Sequence, residues 1–276
     1  MLSRRRLLLA STAASAGVVF YTFRIEPHWL EIVSRPLPVR GLPGELEGRT
    51  LVQMSDLHVG REVDDSYVLE TFERVARLTP DVVVVTGDFI SHHSQVLEQV
   101  ERVYAHLPRG RLATLGIFGN HDYGPGWSHP EVAEALLGRL ARCGITILRN
   151  EIAEVAGLQV VGLDDLWGTN FRPRDALDRI DLERAAIVLS HNPDSADQPV
   201  WDAYEGWILC GHTHGGQCKP PFLPPPLTPV RNKLYTAGEI AVSGGRRLYI
   251  NRGVGHLLKV RFNVRPEVTA FELRRA

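Results

Sequence analysis

Five short segments carry side chains whose types and spacing suit metal chemistry: Asp56-Leu57-His58, Gly87-Asp88, Gly119-Asn120-His121-Asp122, the lone His191, and Gly211-His212-Thr213-His214. They offer seven candidate metal ligands, Asp56, His58, Asp88, Asn120, His191, His212 and His214. Imidazole nitrogen with carboxylate oxygen and no thiolate suits Mn²⁺, Fe or Zn²⁺, and argues against a structural zinc site. Seven donors exceed the needs of one ion and match two, provided one carboxylate bridges. Two ions about 3.5 to 4 Å apart can hold a bridging hydroxide and clamp both the attacking and the leaving oxygen of an in-line phosphoryl displacement. No cysteine or serine in these segments is placed as a nucleophile, so attack on phosphorus would be direct, without a covalent phospho-enzyme. A single Asp-x-His or Gly-Asp is ordinary turn chemistry. The weight lies in five such elements in succession.

Each segment follows a short apolar or β-branched run. Runs at 50–54, 81–86, 112–118, 145–148, 158–162, 186–190 and 207–210 read as buried strands. Helix-period stretches at 66–78, 94–106 and 130–143 lie between several of them. Strands interleaved with helices imply an α/β layered fold with function at the carboxyl ends of the strands. Two more strands are expected at 247–251 and 268–273. Prolines 27, 36, 38 and 43 permit at most short edge strands in the lead-in, such as 30–34. Six prolines within 219–229 exclude a helix or central strand there and predict a stiff surface loop, with Phe222 and Leu223 as an exposed lip. There is no internal repeat.

The 276 residues hold 31 Lys+Arg and 32 Asp+Glu, a formal charge of −1, which excludes a basic nucleic-acid module; no nucleic-acid partner is expected. Three cysteines cannot form a fully paired framework. At the N-terminus Arg4-Arg5-Arg6 precede an uncharged 17-residue run, 7–23. These are the n-region and h-region of an export signal, and paired arginines before leucines resemble a twin-arginine signal. Ala14-Ser15-Ala16 offers a cleavage site. The run also sits at the lower limit for an uncleaved membrane-spanning anchor. Both readings leave the arginines inside and put the rest on the extracytoplasmic, periplasmic side, either attached to the cytoplasmic membrane or exported. The expected organisation is a signal or anchor at 1–24, a lead-in at 25–49 and a catalytic domain at 50–274. Export would permit a Cys210–Cys218 bridge.

At these residues the chain resembles the calcineurin-like metallophosphoesterase superfamily, whose pattern is Asp-x-His, Gly-Asp, Gly-Asn-His-Asp/Glu, His, Gly-His-x-His. All five blocks are intact, and the resemblance covers about 51–273. Ser55-Asp56-Leu57-His58, the stretch 211–217, Asn251-Arg252-Gly253 and Arg265-Pro266-Glu267 resemble its bacterial membrane-associated or twin-arginine-exported branch. That branch is similar to UDP-diacylglucosamine pyrophosphatases. The resemblance implies a four-layer αββα sandwich of two mixed sheets. It implies that Asp56, His58 and His214 hold one divalent metal ion, that Asp88 bridges, and that Asn120, His191 and His212 hold a second. It further implies that His121 is catalytic, protonating the leaving oxygen or stabilising charge on the phosphoryl group, with Asp122 orienting it. The implied activity is hydrolysis of a phosphoester or pyrophosphate, the substrate being lipid-linked or part of the cell envelope.

Two other readings stay open: a phosphatase or nucleotide phosphodiesterase with a soluble substrate, and a non-catalytic metal-binding scaffold, which the intact ligand set disfavours. Arg252 reads either as a phosphate contact or as a buried structural arginine, and His256 is unassigned. His92 and His93 read as solvated loop histidines. The sequence names no protein partner.

Overall fold

The apolar runs become strands of two six-stranded sheets in the computed structural model, which describes residues 4–91 and 96–276. His92 and His93, and the start of the helix expected at 94–106, lie outside the described residues. In chain order the strands are β1 (Glu31–Val39), β2 (Thr50–Met54), β3 (Val82–Thr86), β4 (Ala113–Ile117), β5 (Thr146–Ile147), β6 (Glu151–Val155), β7 (Leu158–Gly162), β8 (Ala186–Leu189), β9 (Trp207–Cys210), β10 (Gly238–Ala241), β11 (Arg247–Ile250) and β12 (Glu267–Arg275). The helices are α1 (Arg4–Phe20), α2 (Asp65–Ala76), α3 (Leu97–Tyr104), α4 (Pro130–Arg142) and the four-residue α5 (Arg174–Leu177).

Sheet one runs β1-β12-β2-β3-β4-β5 and is antiparallel only where β12 meets β2. Sheet two runs β10-β11-β9-β8-β7-β6 and is antiparallel only at its two edge pairs. The period-two alternation of the strands explains the layering. Val82 and Val84 face a core shared with Ile187, Leu189 and Leu209 of the other sheet, while Val83 and Val85 face the helix side with Phe72, Val100 and Leu136. On the outer face of sheet two, Val188, Ile208 and Leu248 pack with Ala176, Leu177 and Trp201. The result is the expected αββα sandwich of two mixed sheets. Its fourth layer is thin, made by α5 and a helical turn at Pro193–Asp197.

Three elements differ from expectation. β6 and β10 are edge strands of sheet two whose sequences, Glu151-Ile-Ala-Glu-Val and Gly238-Glu-Ile-Ala, contain no apolar run. An edge strand pairs on one side only, so it needs no buried character on both faces. β1 extends to Val39 through Pro36 and Pro38, well beyond the short strand expected at 30–34. The Glu31 N–H points inward, donating to the Pro266 carbonyl at 2.9 Å, so the even-numbered residues turn their amide positions away from β12. Both prolines sit at even positions and remove no ladder hydrogen bond.

The lead-in is packed into the fold. Leu37, Val39, Leu42 and Leu46 belong to the core between the sheets. The buried Glu26 carboxylate accepts the Asn263 and Val264 N–H groups at 2.8 and 2.6 Å. Ahead of it, α1 spans 17 residues, about 26 Å at 1.5 Å per residue, against a hydrocarbon core of about 30 Å. No helix among the described residues is long and apolar enough to cross a membrane. Cys143, Cys210 and Cys218 are free thiols, and the Cys210–Cys218 bridge that export would allow is not formed.

Candidate metal centre

β2, β3 and β4 are parallel neighbours, as are β8 and β9, so their carboxyl ends deliver the five segments to two facing sheet edges. The chain turns sharply on leaving each strand. Asp56, His58, Asp88, His212 and His214 all stand in the left-handed region, with φ of 52°, 49°, 53°, 71° and 50°. Such a conformation costs about 1–3 kcal/mol for a residue with a side chain, and a concentration of it marks a functional constraint. The glycines of the motifs are there for closeness. A Cβ on Gly119 would fall on Asp88 Oδ1 and lie 2.7 Å from His191 Nε2, and one on Gly211 would fall on Ser55 Oγ and Asp56 Oδ2.

The side chains converge in two clusters of three buried donors, Asp56-His58-His214 and Asp88-His191-His212, each within 4.8 Å. In the first, His58 Nε2 lies 3.1 Å from His214 Nε2, which is 3.3 Å from Asp56 Oδ1. In the second, His191 Nε2 lies 3.2 Å from Asp88 Oδ2 and 3.3 Å from His212 Nδ1. Asp88 Oδ2 joins them, being also 3.5 Å from His58 Nε2. Asn120 is buried between Gly119 and His121, whose backbones abut Asp88, and its Oδ1 has no hydrogen-bond partner among the described residues. An orphaned buried amide oxygen next to converging imidazole and carboxylate donors is what an oxygen- and nitrogen-ligated cation requires.

Residues 49–216 match the calcineurin-like phosphoesterase family model, over more than half of the chain. The chain belongs to the calcineurin-like phosphoesterases. It is 34% identical to phosphodiesterase YaeI of Escherichia coli over 99% of this chain and 100% of that one. Metallophosphoesterase YkuE of Bacillus subtilis is 33% identical over 99% and 98%. The UDP-2,3-diacylglucosamine pyrophosphatase LpxG of Chlamydia muridarum is 25% identical over 95% and 94%. As a calcineurin-like phosphoesterase the chain is a phosphoester hydrolase of a family that uses two divalent metal ions, and the two clusters are where this chain could hold them.

The electrostatics of this phosphoesterase site suit ligation. Burial pushes His58 and His212 down to about 3, and His214 well below the usual range, so all three are neutral at pH 7 with free lone pairs. Two of the orientations are fixed from outside. His191 Nδ1 lies 2.7 Å from the Thr86 carbonyl, leaving Nε2 toward Asp88, and His212 Nε2 lies 2.8 Å from the Pro229 carbonyl, leaving Nδ1 inward. Burial opposes ionisation of Asp88, yet the charges of His191 and His121 hold its carboxyl well below the usual range. Burial likewise opposes protonation of His191, but Asp88 prevails and raises it well above 6.5. Asp56 is pushed up to about 6 by burial, against the pull of His191.

The remaining motif residues divide. His121 is only half-buried, its ring 5.1 Å from that of His58 at 80°, and its N–H donates to Asp88 Oδ1 at 2.9 Å. Asp122 is engaged with the main chain. Its two oxygens accept the Ile90 and Gly119 N–H groups at 3.1 and 2.9 Å, tying the turn after β4 to the segment after β3. It therefore fixes Asn120 and His121 through the main chain. Arg252 is held by Glu267 and, at 2.8 Å, by Glu31, which makes it the structural arginine of the two readings. His256 is buried, with Nε2 3.0 Å from the Glu62 carbonyl.

Three residues at this site have no motif to announce them. The buried Asp165 accepts the Trp167 and Gly168 N–H groups at 2.7 and 3.1 Å and holds Trp167 edge-on to His212, with centroids 4.5 Å apart. Trp167 in turn stacks on Trp127, centroids 5.0 Å apart at 20°, and Trp127 stands 6.3 Å from His121. The only trace in the sequence is two tryptophans in polar loops, 40 residues apart, which no periodicity connects.

Proposed function

We propose that this chain hydrolyses a phosphodiester or pyrophosphate bond at a two-metal centre, with Asp56, His58 and His214 holding one ion, Asn120, His191 and His212 the other, and Asp88 shared. The observation that carries this is the position of Asp88 Oδ2, 3.5 Å from a donor of the first cluster and 3.2 Å from one of the second. Two divalent ions held there supply the charge that lowers the pKa of the attacking water and offsets that of the phosphoryl oxygens. The protein's own residues do the rest. Thr86 and Pro229 keep His191 and His212 aimed, and Asp122 fixes the turn that carries His121. The half-buried imidazole of His121 faces the substrate and donates a proton to the departing oxygen.

The names of the relatives support a diester or anhydride substrate, and LpxG supports a lipid-linked one. The half-buried Trp127–Trp167 pair would set an apolar wall against the leaving group. The test is hydrolysis by the Mn²⁺-loaded protein across mono-, di- and pyrophosphates, including lipid-linked ones. Bis(p-nitrophenyl) phosphate or a lipid-linked pyrophosphate is expected to turn over at least tenfold faster than p-nitrophenyl phosphate; a preference for the monoester would overturn the substrate reading, and no hydrolysis of any would overturn the mechanism.

Metal binding should release protons. Asp88 raises the pKa of His191 well above its ordinary range in the metal-free site, so ligation must displace that proton and affinity should fall as pH is lowered. Below about 6 the Asp56 carboxyl, raised in the fold, also holds its proton, and the fall should steepen. His58 and His212 add nothing until about 3. Calorimetric titration of Mn²⁺ into chelator-stripped protein between pH 5 and 7.5 measures this, and a pH-independent affinity would contradict the ligand assignment.

A further inference from the structure

The turn at the tip of the proline loop is built against its own backbone preference. The Leu223 N–H donates to the Pro220 carbonyl at 3.2 Å, with Pro221 and Phe222 between them and Phe222 at φ 66°. Proline followed by a positive φ is the pattern of a type II turn, whose third position favours glycine or asparagine. Phenylalanine stands there instead, and its side chain is fully in solvent, at 104% relative exposure. A left-handed backbone and an exposed aromatic ring are both unfavourable in water.

Phe222 has apolar company. Leu223, Leu227 and Leu258 are exposed at 60%, 78% and 69%. Hydrogen bonds tie this region to the end of α1. The Lys219 N–H donates to the Phe262 carbonyl at 2.8 Å, and the Arg261 N–H to the Thr22 carbonyl at 3.1 Å, beside the exposed Phe23 and Ile25. Exposed cations stand beside the apolar patch. Arg24, Lys219 and Arg231 are exposed around this region, whereas farther along Arg252 is paired with Glu31 and Glu267, Lys259 with Asp64, and Arg261 is buried. The same loop reaches the metal centre, since the Pro229 carbonyl is the 2.8 Å partner of His212 Nε2.

We propose that the 220–227 loop and the adjoining end of α1 form one surface that docks on an anionic lipid bilayer, with Phe222, Leu223 and Leu227 entering the interface. Exposed apolar side chains with cations such as Arg24, Lys219 and Arg231 beside them are the composition that binds such an interface. The unfavourable turn is explained, because it is the bilayer that buries the ring. Docking would bring the metal centre to the level of phosphate-bearing headgroups. That consequence rests on the phosphoesterase reading above, while the docking itself does not.

The test is co-sedimentation of the full chain with vesicles of phosphatidylcholine alone or with phosphatidylglycerol, alongside hydrolysis of soluble bis(p-nitrophenyl) phosphate. The parent should bind the anionic vesicles, and less so as salt rises. The triple variant Phe222→Ser, Leu223→Ser, Leu227→Ser should bind at least tenfold more weakly, with hydrolysis of the soluble diester unchanged. Phe222→Asn isolates the turn: it should weaken vesicle binding while leaving the melting temperature equal or higher, because asparagine suits a positive φ. Vesicle binding within twofold of the parent by the triple variant, or no binding of anionic vesicles by the parent, would overturn the proposal. A parent that binds vesicles but hydrolyses nothing would instead refute the phosphoesterase reading and leave the docking surface intact.

Discussion

Asp88→Asn is expected to reduce phosphodiester hydrolysis by at least a thousandfold and to lower the bound metal below two equivalents, in a protein that still folds. The fold should survive because the change is nearly isosteric. Asparagine tolerates the φ of 53° at this position, and its Oδ1 can still accept the His121 N–H that Asp88 accepts at 2.9 Å. The site should not survive. Asp88 is the carboxylate within 3.5 Å of donors in both clusters, and a neutral amide cannot offset the charge of two divalent ions. A thousandfold loss corresponds to about 4 kcal/mol, within what metal-assisted charge stabilisation contributes. Elemental analysis, circular dichroism and kcat/KM on one preparation decide it. Two equivalents of metal with undiminished activity would exclude the shared-carboxylate arrangement.

His121→Ala should separate chemistry from metal binding. The side chain is half-buried and perpendicular to His58, and its assigned task is proton transfer, a contribution of about 10² to 10⁴ in rate. The variant is expected to keep both ions and the parent's melting temperature while kcat falls by that factor. The loss should be greatest for an alkyl or sugar leaving group and least for an aryl one, which departs more readily as its anion. An equal loss for all leaving groups would assign His121 to charge stabilisation of the phosphoryl oxygens instead. Loss of metal along with activity would make it a ligand.

Much of this site was legible in the chain because the relevant signals are local. A buried parallel strand announces itself as a short apolar run, so β2, β3, β8 and β9 and the donors just beyond them could be placed within a residue or two. What escaped is what local composition does not encode. β6 and β10 are polar edge strands, and β1 passes through two prolines because its outer amides face no partner strand. The main-chain contacts of Asp122 are likewise invisible in the sequence. A carboxylate next to His121 in sequence suggests a side-chain partner, whereas a 3₁₀ turn at 120–123 aims its oxygens at main-chain amides.

By itself, then, the sequence determined which atoms are available for catalysis. It set the nitrogen and oxygen donors without thiolate, their order, their attachment to strand ends, and a near-neutral overall charge. Only the tertiary structure decided how they meet. His58 and His214 are 156 positions apart and 3.1 Å apart in space, because two separate parallel edges face each other across a shared apolar core. Which imidazole nitrogen faces inward is set by carbonyls of Thr86 and Pro229, and which aromatic rings flank His121 is set by loops from different sheets. Residue type and strand register are properties of neighbours in the chain. The approach of two sheet edges depends on every side chain packed between them.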